Sequence, residues 1–173
     1  MANYQEILTK AVVGKGKKSC VDSYTLTSLL KPTKVLGCWV INHSLKPVLK
    51  EDKVYVEGEY EVHIWYAYDD DKNTDLHKEK ITYSEQVPFK MKKNEELTSK
   101  QELKAYCTNY PSCTELKIQN DNLCLTIQKE FIVDAIGEAV IRVQLSDLID
   151  EPIDLDEEIE NNFDVNYLNK DNK

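Results

Sequence analysis

KVYVEGEYEVHIWYAY, residues 53–68, is the stretch that decides the fold. From Val54 to Tyr68, apolar and aromatic side chains take nearly every even position. Successive side chains of a strand point to opposite faces, so this alternation predicts a long β-strand with one buried and one solvated face. The solvated face carries Glu57, Glu59, Glu61 and His63.

The segment that follows this strand has the same two-residue period. DDDKNTD (69–75) predicts a polar turn, and EKITYSEQVPFKM (79–91) predicts the second strand of a long antiparallel hairpin. Pro88 has no amide hydrogen to donate, so an edge or a bulge is expected there.

The rest of the chain also favours strands over helices. Three turns are predicted between strand pairs, at GKGK (14–17), NYPS (109–112) and DAIG (134–137). The N-terminal segment also fits a helix, although a strand is favoured. About nine strands result, which predicts an all-β fold with an antiparallel sandwich or barrel-like body. They are 6–13, 19–27, 35–43, 53–68, 79–91, 102–107, 114–119, 123–133 and 138–145.

The negative charge is concentrated at the C-terminal end. The chain has a net charge of −9, and from Asp147 onward ten acidic residues are accompanied by only two lysines. The remainder is almost neutral, which argues against nucleic-acid binding because phosphate contacts need clustered Lys and Arg. We therefore predict two regions, a β-sandwich-like self-assembly domain over 1–146 and an acidic, disordered tail over 147–173.

Apolar side chains are spaced through the acidic tail. Acidic segments with apolar anchors are typical of arms that fold on a partner. A purely solubilising tail and a short helix docked on the same chain are the alternatives. The candidate partner-binding residues are Ile149, Ile153, Leu155, Ile159, Phe163, Val165 and Tyr167.

GCWVINH (37–43) places a thiol and an imidazole close together in sequence. In an extended strand Cys38 and His43 point to opposite faces about 16 Å apart, which excludes a nucleophile–base pair. No catalytic, phosphate-binding or dinucleotide motif occurs, and no zinc or calcium spacing. The sequence therefore predicts a non-enzymatic protein without a metal or cofactor.

Five cysteines are present, an odd number that argues against a full disulfide framework. Free thiols packed as small apolar groups are favoured. The alternative is a disulfide formed late, and Cys107 and Cys113 are candidates because they flank the predicted NYPS turn.

The aromatic side chains suggest an interaction surface. Trp65 falls on the nominally solvated face of its strand, where it needs a cover. An oligomer contact or a second sheet of the same domain would provide one, and Trp65 and Tyr55 are the candidate oligomer contacts. In the neighbouring segment, Trp39 and Ile41 are expected to pack on one side of their strand.

Two targeting features are not found in the sequence. No stretch approaches the roughly 18 apolar residues of a membrane span, so no membrane insertion is predicted. The N-terminus MANYQEILTK does not have the pattern of a secretory signal. The chain is expected to stay in the compartment where it is made.

Three motifs carry a family resemblance: YQEILTKAVVGKGKK (4–18), LGCWVINH (36–43) and VEGEYEVHIWYAY (56–68). In order and spacing they resemble the CotE-type outer spore coat morphogenetic proteins of endospore-forming bacteria. One departure is Cys38, which stands where the family pattern has a second glycine before the tryptophan.

The resemblance implies a self-associating scaffold that is made in the mother-cell cytoplasm. Such a scaffold settles around the forespore through a coat basement-layer protein and recruits outer coat proteins. It also implies that residues 147–167 bind these clients. A carbohydrate- or ligand-binding β-module, with exposed aromatic rings stacking on sugars, is the alternative.

Overall fold

The computed structural model describes residues 4–92 and 96–144, which contain seven strands in two antiparallel sheets. A four-stranded sheet has the order β5-β1-β7-β6, and a three-stranded sheet has the order β2-β3-β4. The predicted all-β fold is confirmed, and the strand count is close to the nine or so expected. The strands are β1 (Tyr4–Leu26), β2 (Lys34–Lys50), β3 (Lys53–Tyr68), β4 (Asn73–Gln86), β5 (Phe89–Met91), β6 (Glu102–Gln119) and β7 (Asn122–Gln144).

The central strand β3 buries the face that its alternation predicted. Its even-numbered apolar side chains from Val54 to Tyr66 are at most 2% exposed. They pack between the sheets against a matching alternation on β7, which includes Leu125 and Phe131. Two-residue hairpin turns with positive φ, at Glu51–Asp52 and Asn120–Asp121, connect consecutive strands.

The three turns predicted inside β1, β6 and β7 are wrong, since each strand runs on through the expected break. At GKGK the chain stays in one continuous strand, and neither glycine has a positive φ. Gly14 and Gly16 instead admit the side chains of β5: a Cβ on Gly14 would lie 2.8 Å from the Phe89 ring. At NYPS, β6 accommodates Pro111 by register shifts relative to β7. At DAIG, β7 continues with Ala135 fully buried.

The strand predicted over residues 79–91 changes sheet at Pro88. Just beyond β4, the Val87 amide donates a backbone hydrogen bond to Val54 O of β3 at 2.8 Å. Pro88 has no amide hydrogen with which to continue this ladder. Residues Phe89–Met91 then pair with β1 in the four-stranded sheet. The expected interruption therefore occurs, and its result is that one chain segment links the two sheets.

The chain divides into two compact units, of which Leu8–Ala139 is the larger. In the other unit the described residues, 4–7 and 140–144, are strand, and Arg142 Nε donates to Glu6 Oε1 at 2.9 Å. The tail over 147–173 and its predicted boundary lie outside the described residues. Within 4–92 and 96–144 there is no helix of the length and apolarity needed to cross a membrane.

Candidate assembly surface and interior polar chain

Trp39, Ile41 and Trp65 form an exposed apolar group on the outer face of the β2-β3-β4 sheet, which we name the aromatic face. Trp39 is 53% exposed and Trp65 is 39% exposed. Trp65 pairs with Gly37 across the strands, and Trp39 pairs with His63, so the two indoles are diagonal neighbours. Gly37 leaves room for this arrangement, since a Cβ there would lie 3.0 Å from Trp39 Cη2.

The structure separates the two predicted oligomer-contact residues. The second sheet packs on the opposite face of β3, so it does not cover Trp65. Tyr55 points to the same outer face but lies ten residues away, about 33 Å along the strand. Its ring is approached by Lys50 Nζ, 5.8 Å from the centroid. Trp65 is therefore grouped with Trp39, which was expected to be packed and is instead the more exposed of the two.

A shallow depression of about 500 Å³ lies on the same outer face, over Gly58. Its carboxylates are paired with lysines: Lys50 contacts Glu57, and Lys80 Nζ lies 2.9 Å from Glu59 Oε2. The hydrogen bond from Lys50 lowers the pKa of Glu57. The depression therefore presents a solvated surface on which lysines pair with the carboxylates. The lining residues are Ser44, Leu45, Lys46, Glu57, Gly58, Glu59, Thr82, Tyr83 and Ser84.

A β-bulge at Asn42 corrects the predicted orientation of His43. Asn42 adopts φ 54°, and the register of β2 against β3 shifts between Ile41 and Ser44. Asparagine tolerates the left-handed region better than most residues, and its side chain bonds Glu61 and lowers the pKa of that carboxyl. The extra residue breaks the strict alternation and turns the His43 imidazole into the space between the sheets.

Inside the sandwich, His43 meets partners from two other strands. Its Nε2 lies 2.7 Å from Tyr83 Oη, and its Nδ1 lies 3.8 Å from Cys107 Sγ. Burial lowers the pKa of His43 and raises the pKa of Cys107, so both groups are held neutral near pH 7. A reactive cysteine requires a thiolate stabilised by a nearby cation. The Cys107–His43 pair, which sequence spacing did not reveal, therefore has a packing role.

A buried lysine continues this polar chain and links the sheets. Lys129 on β7 is fully buried; its Nζ contacts the Asp22 carboxylate and lies 3.8 Å from Glu85 Oε1. Lys18 Nζ donates to the other oxygen of Glu85 at 2.7 Å. Lys129 Nζ also lies 4.6 Å from the Tyr83 ring centroid. Since Glu85 belongs to β4 and the others to β1 and β7, these ion pairs hold the two sheets together.

The remaining sequence predictions concern metal ligands, cysteines and the partner-binding residues of the tail. Among the described residues no group of three or more His, Cys, Asp or Glu side chains is placed to hold a metal ion. All five cysteines are free thiols. The candidate partner-binding residues lie outside the described residues: Ile149, Ile153, Leu155, Ile159, Phe163, Val165 and Tyr167.

Fold and site together define a two-sheet antiparallel β-protein with a charge-linked interior and an aromatic outer face. Comparison with protein families finds a match over residues 3–172 to the family described as outer spore coat protein E (CotE). The chain therefore belongs to the outer spore coat protein E family, and the resemblance seen in its sequence motifs is confirmed. Membership implies a protein of the spore coat, a structural family. Neither the curated proteins nor the solved structures contain a match.

Proposed function

We propose that this chain is a non-enzymatic morphogenetic protein that self-assembles around the forespore and recruits outer spore coat proteins. In this proposal the body over residues 1–146 carries self-association and the acidic tail over 147–173 binds clients. The protein is made in the mother-cell cytoplasm and is held at the forespore by a coat basement-layer protein. The observation that carries the proposal is the aromatic face, on a member of a spore coat family.

The aromatic face has the composition of an interface core. Tryptophan is enriched where protein surfaces bury each other, and clustered tryptophans contribute much of the binding free energy. Trp39 and Trp65 sit side by side on a sheet, which gives a partner a continuous apolar area. The body is nearly neutral, so self-association is not opposed by strong charge repulsion.

Replacing both tryptophans, Trp39→Ser with Trp65→Ser, is expected to weaken self-association at least tenfold, about 1.4 kcal/mol or more. The reason is that apolar area buried between copies is replaced by hydroxyls that stay hydrated. Light scattering and sedimentation of the purified full chain across micromolar concentrations measure the change.

Tyr106→Ser is the matched control, because Tyr106 is also exposed but lies on the outer face of the other sheet. It is expected to leave the association constant unchanged. A Tyr55→Ser variant shows whether the contact extends to the far end of β3. A wild-type chain that remains monomeric, or a loss of assembly only in Tyr106→Ser, contradicts the assignment of the aromatic face.

Deleting residues 147–173 is expected to abolish recruitment of outer coat proteins while leaving the size of the oligomer unchanged. The tail combines acidic residues with apolar anchors, a composition suited to folding on a partner. Pull-down of coat proteins from sporulating-cell extract measures recruitment. A second variant, with Ile153, Leu155 and Ile159 replaced by serine, keeps every charge. If the serine variant recruits coat proteins normally, the charges of the tail alone bind the clients. If the chain without residues 147–173 recruits them normally, the tail does not bind clients and that part of the proposal is wrong.

The depression over Gly58 favours the alternative function, a carbohydrate- or ligand-binding β-module. Its hydroxyl and carboxylate lining suits sugar hydroxyl groups. However, the residues that line it do not include a tryptophan, and Trp65 lies at least six residues further along β3. A glycan-binding screen distinguishes the two functions, since the scaffold is expected to give no saturable signal.

A further inference from the structure

Two cysteines from different sheets face each other inside the sandwich. Cys38 on β2 pairs with Ile64, and Cys113 on β6 pairs with Ile127. Ile64 and Ile127 are both fully buried between the sheets. Directly opposed residues of an antiparallel pair point to the same face, so both thiols point inward, toward each other's sheet.

Several observations place the two thiols next to one another. Strands β2 and β6 approach with Cα atoms within 8 Å, although they belong to different sheets. Both cysteines pack against the same buried core cluster. They also line one open depression of about 240 Å³, together with Gly37 and Leu116. Burial, and after it the adjacent Cys113 thiol, raises the pKa of Cys38 to about 12.

The other thiols are placed differently. Cys107 contacts His43, and Cys124 contacts the Thr25 hydroxyl. The disulfide that the sequence suggested, between Cys107 and Cys113, is wrong in this fold because no hairpin turn separates them. Their partners on β7, Phe131 and Ile127, are four residues apart, about 13 Å along that strand, whereas a disulfide needs Cα atoms within about 7 Å.

We propose that Cys38 and Cys113 form an intramolecular disulfide that locks β2 to β6 when the protein meets an oxidising small-molecule disulfide. Both S–H bonds break and one S–S bond forms between the two chain sulfurs. The two protons and two electrons reduce the small disulfide to two thiols. Because the thiolate is the reacting form and Cys38 is held protonated, the reaction is slow at neutral pH and faster at alkaline pH.

The test uses the purified full chain, incubated with oxidised glutathione at pH 8.5 and alkylated before trypsin digestion and mass spectrometry. Peptide 35–50, which contains Cys38, is expected to be linked to peptide 105–117, and the count of free thiols falls from five to three. The long loop that this bond closes is expected to raise the Tm by about 5–10 °C. Dithiothreitol should reverse both changes.

Peptide 105–117 contains Cys107 as well as Cys113, so variants assign the bond. The cross-linked peptide pair is expected to persist in Cys107→Ser and to disappear in Cys113→Ser, with circular dichroism confirming that both variants fold. A cross-link that disappears in Cys107→Ser overturns the proposal. So does a bond found only between copies on a non-reducing gel, or five free thiols after prolonged oxidation.

Discussion

Replacing Lys129 with alanine is expected to lower the free energy of unfolding by about 3–5 kcal/mol. The lysine is fully buried, and its ammonium neutralises the carboxylates of Asp22 and Glu85 between the sheets. Alanine removes this charge from beside Asp22 and leaves Glu85 paired with Lys18 alone. It also opens a cavity where the aliphatic stem was packed. Urea unfolding followed by circular dichroism measures the loss.

Two further variants separate the causes of this loss. Lys129→Met keeps the apolar stem and removes only the ammonium, so it is expected to give a smaller loss than alanine. Lys117→Ala is the matched control, because Lys117 Nζ pairs with Glu115 at 3.1 Å on an exposed surface. Such exposed pairs contribute about 0–1 kcal/mol. If Lys129→Ala is no more destabilising than Lys117→Ala, the inter-sheet ion pairs do not stabilise the fold.

Replacing Gly58 with alanine is expected to cost about 2–3 kcal/mol. A Cβ at this position would lie 2.4 Å from Tyr83 Oη and 2.5 Å from the backbone oxygen of Ser44. The Tyr83 ring cannot move away freely, because it stacks on Phe131 at 6.3 Å and its hydroxyl bonds His43. Relief of the clash therefore disturbs the polar chain between the sheets. Urea unfolding again gives the change.

Gly37→Ala is the matched control for this substitution. Its nearest neighbour would be Trp39 Cη2 at 3.0 Å, the far end of an exposed side chain that is free to shift. Neither glycine has a positive φ, so alanine lowers the entropy of the unfolded chain equally at both positions. We expect Gly37→Ala to change stability by at most about 0.5 kcal/mol. If Gly58→Ala and Gly37→Ala change the free energy of unfolding equally, the structure relieves the clash at Gly58 without loss of stability.

The buried face of β3 was predictable because it depends on alternation alone. Val62 and Ile64 are buried because one face of the strand packs on the core. Alternation in the sequence identifies the residues of that face. The hairpin turns were less predictable. Glycine at 14 and 16 looks like a turn in sequence, whereas its role is to admit Phe89 from a strand that is distant along the chain.

The orientation of His43 depends on a single backbone torsion. With regular alternation it would point away from the core, and the positive φ of Asn42 reverses it. Its contact with Cys107 joins residues 64 apart in sequence, which no spacing rule anticipates. The exposure of Trp39 is a similar case, because alternation assigns a side chain to a face but does not say which face the second sheet covers.

The sequence by itself determined the all-β class, the buried face of the central strand and, through its motifs, the spore coat family. These follow from local periodicity and local identity, which need no knowledge of distant neighbours. Only the tertiary structure decided which thiols meet, which lysine is buried and which tryptophans share a face. Those outcomes depend on the strand order and on the packing of one sheet against the other. Both are determined by contacts between residues that are far apart in the chain.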